Sequence, residues 1–203
     1  MSGGTYPLTM RPARVAPSSV SPSFVSTPHS LKQIRRSRGA HRWKLKLTYG
    51  PMVKDEWNPI VAFLDEQQGQ FGKFTIVWPG KEVPRGIVSG AIQVDLAQAA
   101  GASSINLKGF GATLTGVFKA GDIIKFAGHL KVYQVTRDAN SNAAGKASVF
   151  INCPLLTALA DLEAITYASV PMNVACVADT IDREYKGGLV NPGFQVELIE
   201  DPY

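Results

Sequence analysis

Arg42-Trp43-Lys44-Leu45-Lys46-Leu47-Thr48-Tyr49 alternates without a break between two chemistries. In an extended chain successive side chains point to opposite faces, so Trp43, Leu45, Leu47 and Tyr49 share one face and Arg42, Lys44, Lys46 and Thr48 the other. The pattern predicts a strand with its aromatic and leucine face on a core. The opposite face presents three cations spaced about 7 Å apart. Toward the N-terminus, Ser37-Arg38-Gly39 reads as the turn of a hairpin running from Leu31 to Tyr49. Toward the C-terminus, Gly50-Pro51 stops the strand.

The next segment, Lys54 to Gln68, is the one convincing helix. Trp57, Ile60, Val61 and Leu64 recur at helical spacing, with Phe63 beside them. Asp55 and Glu56 suit the positive end of the helix dipole. Pro59 reads as a first-turn residue behind an Asn58 cap, and Gly69 as the stop. A strand from Phe71 to Trp78 follows, ending at Pro79-Gly80. Beyond it come short strands at Val88–Ala97, Ser104–Leu107, Asp122–Phe126, Leu130–Thr136 and Lys146–Asn152. Turns recur about every ten residues, the spacing of a small barrel or sandwich. Pro154 to Leu162 reads as a short helical turn, and strands near Val174–Ala178 and Gly193–Glu200 close the chain.

The expected fold is therefore mainly β: a β-sandwich body with one flanking helix, a small β-barrel-like insert and an extended N-terminal arm. The boundaries read as an arm at 1–28, a body at 29–84 and 165–203, and an insert at 85–164. The arm holds five prolines and six serines. Its apolar residues are too sparse for a core of their own, so it is expected to be held by a neighbouring subunit.

Charge is segregated along the chain. Nine of the 21 lysines and arginines lie in the first fifty residues, before the first acid, Asp55; the rest of the chain nets −4. A basic N-terminal region on a mildly acidic body suits docking on an acidic neighbour. The residues expected at such an interface are Arg35, Arg36, Arg38, Arg42, Lys44 and Lys46, with Tyr6 and Phe24 from the arm.

Catalytic chemistry finds no support. There is no Gly-x-Ser-x-Gly elbow, and the glycine-rich run Gly109–Gly116 lacks a following Gly-Lys-Ser/Thr, so it reads as a turn. Asp122 and His129 follow glycines and read as turn residues. Asp161 with Glu163, or Asp179 with Asp182, could pair without function. Cys153 and Cys176 have no partners at ligand spacing and are expected to be reduced; no metal or cofactor is expected. The start lacks the apolar stretch of a signal peptide, and no apolar run is long enough to span a membrane as a helix. A nucleic-acid-binding β-domain using the basic hairpin 35–46 is the alternative reading. It is weakened because Trp43 and Tyr49 fall on the core face.

Two blocks carry a family resemblance. The first is Arg38-Gly-Ala-His-Arg-Trp-Lys-Leu-Lys-Leu-Thr-Tyr-Gly-Pro-Met52, with Trp57–Asp65 and Gly69–Ile76. The second is Val117–Phe126, with Lys131–Val135 and Val149–Pro154. Together they resemble tail-tip and baseplate proteins of long-tailed bacteriophages. The resemblance implies a structural virion protein assembled in the host cytoplasm. It would form a three-fold or six-fold ring of copies at the distal tail and join the tail tube to hub or baseplate proteins. It implies no catalytic residues and no membrane partner.

Overall fold

A computed structural model describes residues 3–180 and 190–203. The ladder nearest the N-terminus joins β1 (Arg14–Val20), β2 (Ser23–Ser26), β3 (Ile34–Ser37) and β4 (Arg42–Thr48). β1 pairs with β4 from Arg14↔Thr48 to Val20↔Arg42, and β2 with β3 from Ser23↔Ser37 to Ser26↔Ile34. The expected hairpin is thus longer and differently folded. Its tip lies at residues 27–33, and the supposed turn at Ser37-Arg38-Gly39 is part of a bulge, where residues 38–41 face only Ser21 and Pro22. Gly39 adopts φ +70 there, and the Ser37 hydroxyl accepts its N–H. In place of a lone arm, residues 14–26 form the first leg of this ribbon.

After β5 (Met52–Val53), helix α1 runs from Lys54 to Glu66. Glu56 Oε2 accepts the Val53 N–H at 3.2 Å, which fixes the helix start one turn earlier than the Asn58 cap predicted. Pro59 consequently lies in the second turn, on the exposed side. Trp57, Ile60, Val61 and Leu64 are buried, each removal from water contributing about 2 kcal/mol. Gln68 and Gly69, both at positive φ, turn the chain out of the helix.

β6 (Phe74–Val77), β13 (Pro171–Cys176) and β15 (Gln195–Glu200) complete an antiparallel sheet of order β1-β4-β15-β13-β6. Its inner face, including Leu45, Leu47, Ile76, Val174 and Leu198, packs on α1 and Met52. The short ladder of β5 with β14 (Val190–Asn191) lies beside that helix. Tyr6, Leu8, Met10 and Val15 join this core, so the N-terminal residues do contribute to burial. The Tyr6 N–H donates to Thr75 O at 2.7 Å, which lays residues 4–6 along the outer edge of β6.

The insert enters after β6 and leaves before β13, strands that pair directly with Pro171 opposite Val77. It contains β7 (Gln93–Val94), β8 (Ser104–Lys108), β9 (Ile123–Phe126), β10 (Val132–Gln134), β11 (Lys146–Phe150) and β12 (Ile165–Thr166). They form two three-stranded sheets, β10-β9-β12 and β11-β8-β7. Bridges Gln93↔Ala164 and Val135↔Ile151 join these sheets at both edges, closing a barrel around a second apolar core. Closure satisfies strand edges that would otherwise be open. The expected strand at Val88–Ala97 shrinks to β7, and Pro154–Leu162 is irregular rather than helical, held by the single bridge Gln98↔Leu159.

Asp122 ties the barrel to the chain that enters it. Its buried carboxylate accepts the backbone N–H groups of Arg85 at 2.6 Å, Lys119 at 2.8 Å and Gly86 at 3.1 Å. Asp122→Ala strands three donors and should cost about 3 kcal/mol. Urea unfolding should show a lowered midpoint with unchanged slope; a change under about 1 kcal/mol would mean water replaces the carboxylate.

Candidate assembly interface

From Val20 to Ala40 every residue is exposed except half-buried Ser26. The segment is a two-stranded ribbon standing off the sheet at the β1 edge. Cross-strand pairing puts Phe24 beside Arg36 on one face and Val25 beside Arg35 on the other. Leu31 at the tip is 81% exposed, and Ile34 and Phe24 are about half exposed. Lys32, Arg35, Arg36 and Arg38 supply four cations with no acid among them. A lone two-stranded ribbon is marginal in water, so apolar side chains on both of its faces mark a surface built for contact.

The expected interface residues divide into three groups. Phe24, Arg35, Arg36 and Arg38 come together on the ribbon, where Val25, Leu31, Lys32 and Ile34 join them. Arg42, Lys44 and Lys46 lie on the outer face of β4, as the alternation required. There the Lys46 ammonium is 3.0 Å from Glu197 on β15, so an acid is available across the strand although none is near in sequence. Arg42 lies 5.6 Å from the centre of the Tyr203 ring, and Lys44 lines a groove with Ala16, Ser18 and Glu197. Tyr6 is the exception. It is buried at the opposite edge of the sheet, 3.1 Å from the Tyr49 hydroxyl and packed between Phe63 and Phe74, so it belongs to this chain's own core.

Beneath the ribbon's root lies a polar cluster that the sequence did not announce. Glu200 is fully buried and pairs with buried Lys131 of the barrel. The same carboxylate accepts the N–H of Trp43 at 3.1 Å and of Val132 at 2.8 Å. The Lys131 ammonium also lies 3.1 Å from His41 Nδ1, and His41 Nε2 lies 3.0 Å from the Ser19 hydroxyl and 3.1 Å from Asn152 Nδ2. Burial, and then the Lys131 charge, hold His41 down to about 4. The one sequence signal was register: Glu200 continues the inward series Val196, Leu198.

The remaining candidate groups have structural duties. Asp161 pairs with Lys108 and accepts the Leu96 N–H; Glu163 accepts the N–H groups of Gly128 and Ala160. Asp179 accepts the Gln70 N–H, whereas Asp182 lies outside the described residues. Burial pushes the Cys153 thiol up to about 11, which leaves it unreactive at neutral pH. Among the described residues no group of three or more His, Cys, Asp or Glu could hold a metal, and no helix is long and apolar enough to cross a membrane.

The described residues thus form a closed barrel set into a sheet-and-helix body, with a ribbon of cations and apolar side chains exposed at the sheet's edge. Residues 87–170, which hold the whole barrel, match the family model described as Distal tail protein pb9, B domain. That match covers the barrel, and it supports a structural role in a bacteriophage tail. No curated protein matches the chain.

Proposed function

We propose that copies of this chain close into a ring at the distal end of the tail, between the tail tube and hub or baseplate proteins, after synthesis in the host cytoplasm. The observation that carries the reading is the ribbon Val20–Ala40, exposed on both faces and carrying cations without acids. Each copy presents the ribbon at one edge of a sheet whose other edge is covered by residues 4–6, so head-to-tail contact is the arrangement that uses it. The cationic face of Arg42, Lys44 and Lys46 then faces acidic groups of the next tail protein, where desolvation makes such pairs selective. Burial takes the Trp43 and Tyr49 rings out of reach of a nucleic-acid base.

Immunogold electron microscopy of phage particles, with antibody against this chain, tests the assignment. Gold is expected at the distal tail end only. Particles without label would sink it, and the basic face would then be assayed for nucleic acid released by salt.

A further inference from the structure

We propose that His41, Lys131 and Glu200 form an acid-released latch: at neutral pH it fixes the barrel and the ribbon's root to the body, and protonation of His41 frees the barrel to move while both cores persist. The proposal is independent of ring formation. Its basis is that the ribbon's root, the barrel and the body sheet meet in one polar cluster whose charged members are buried. Ser19 and His41 come from the root of the ribbon, Lys131, Val132 and Asn152 from the barrel, and Trp43 and Glu200 from the sheet. Elsewhere the two apolar cores are distinct, with only Ile123 and Val132 of the barrel strands belonging to the body core. A polar tie between two packed units gives way before either unit does, because its members need each other and not the cores.

The geometry fixes the protonation that holds the latch closed. Lys131 can only donate, so His41 Nδ1 must accept and carries no proton. Nε2 then carries the proton and donates to the Ser19 hydroxyl, and the Asn152 Nδ2 amide 3.1 Å away, itself a donor, makes no bond to it in this tautomer. A second proton on the ring sets N–H against an ammonium 3.1 Å away, with one carboxylate to serve both cations. The groups facing His41 on every side offer no relief. Trp43 meets it edge to face at 4.7 Å, Asn152 and Ser19 are neutral, and Cys153 and Tyr203 line the adjoining cleft. Arg42 adds a cation next in sequence, and Glu200 is already engaged by Lys131 and two backbone amides. The unfolded chain binds this proton near pH 6.5, the folded chain only near 4. The latch is therefore fully effective above about pH 6.5 and weakens as pH falls toward 4.

Amide exchange of the full chain at pH 7 and pH 4, corrected for intrinsic rates, reads the latch through the Trp43 and Val132 amides. Both should lose protection at least tenfold at pH 4, while Leu107 in the barrel and Leu47 in the body keep theirs. In His41→Asn, which cannot take the proton, the loss should move to lower pH by a unit or more. An unchanged midpoint in that variant would assign the trigger to Glu200 and overturn the proposal. So would simultaneous loss at Leu107 and Leu47, which is global unfolding. A proton-NMR titration of the wild-type histidines gives a check that no variant can confound: a His41 ring titrating near 6.5 would also overturn it.

Discussion

Glu200→Ala is expected to lower stability by about 3–5 kcal/mol, the cost of leaving a buried ammonium uncompensated. In a chain of this size that corresponds to a fall in melting temperature on the order of 10 °C. Two effects are mixed in it. Lys131 loses its counter-ion, and the amides of Trp43 and Val132 lose their acceptor. Adding Lys131→Met to Glu200→Ala separates them. The ammonium's share should return, because a methionine fills similar volume without charge, and the share of the two amides should remain. Thermal unfolding of the four proteins gives the cycle. A single variant within about 1 kcal/mol of wild type would show that water reaches the cluster and that the pair does little for the fold.

The second large effect concerns assembly and not stability. Replacing residues 21–40 by Asn-Gly should close a short loop above β1 and β4 and remove Phe24, Val25, Leu31, Lys32, Ile34, Arg35, Arg36 and Arg38 together. Since these side chains are exposed, the melting temperature should move by only a few degrees. Incorporation into particles, measured by complementing a phage that lacks the protein, should be lost. Normal incorporation would remove the ribbon from the assembly mechanism. A collapse of stability instead would mean that the ribbon braces the sheet.

These two sites differ sharply in how visible they were in the sequence. The inward face of β4 and the buried stripe of α1 were legible because burial imposes a period, 2 in one and 3.6 in the other. Barrel strands β8 to β11 were legible for the same reason, together with their regular turns, whereas β7 and β12, two residues each, are too short to impose a period. β1 was not. It is an edge strand exposed at all but Val15 and Ala16, so its residues need no alternation, and Pro17 is tolerated because an edge leaves some N–H positions unpaired. What makes it a strand is backbone pairing with β4, which leaves no mark on side-chain type. The tip of the ribbon was misplaced for a related reason: Gly39 serves a bulge as well as it would a turn. Tyr6 reads as an interface residue because it stands in a segment with few apolar neighbours, yet its partners Phe63, Phe74 and Tyr49 are distant in sequence. Glu200 shows the opposite failure. Its position in the period was correct, and only its charge argued against burial.

The narrow neck through which the chain enters and leaves the barrel gives the molecule the character of a cassette. The Ser169 N–H donates to Glu82 O at 2.7 Å, so the two ends of a long excursion are one hydrogen bond apart. Measured by the backbone alone, the body would accept a different module, or a bare turn, at little cost in loop closure. Lys131 changes that account. Because the guest supplies the paired counter-charge to a carboxylate sealed inside the host, a replacement module must bring its own cation to the same spot, or the host strand must give up its acid. Exchange of modules at this neck is therefore a paired change, with residue 200 recording which kind of guest the body was built around.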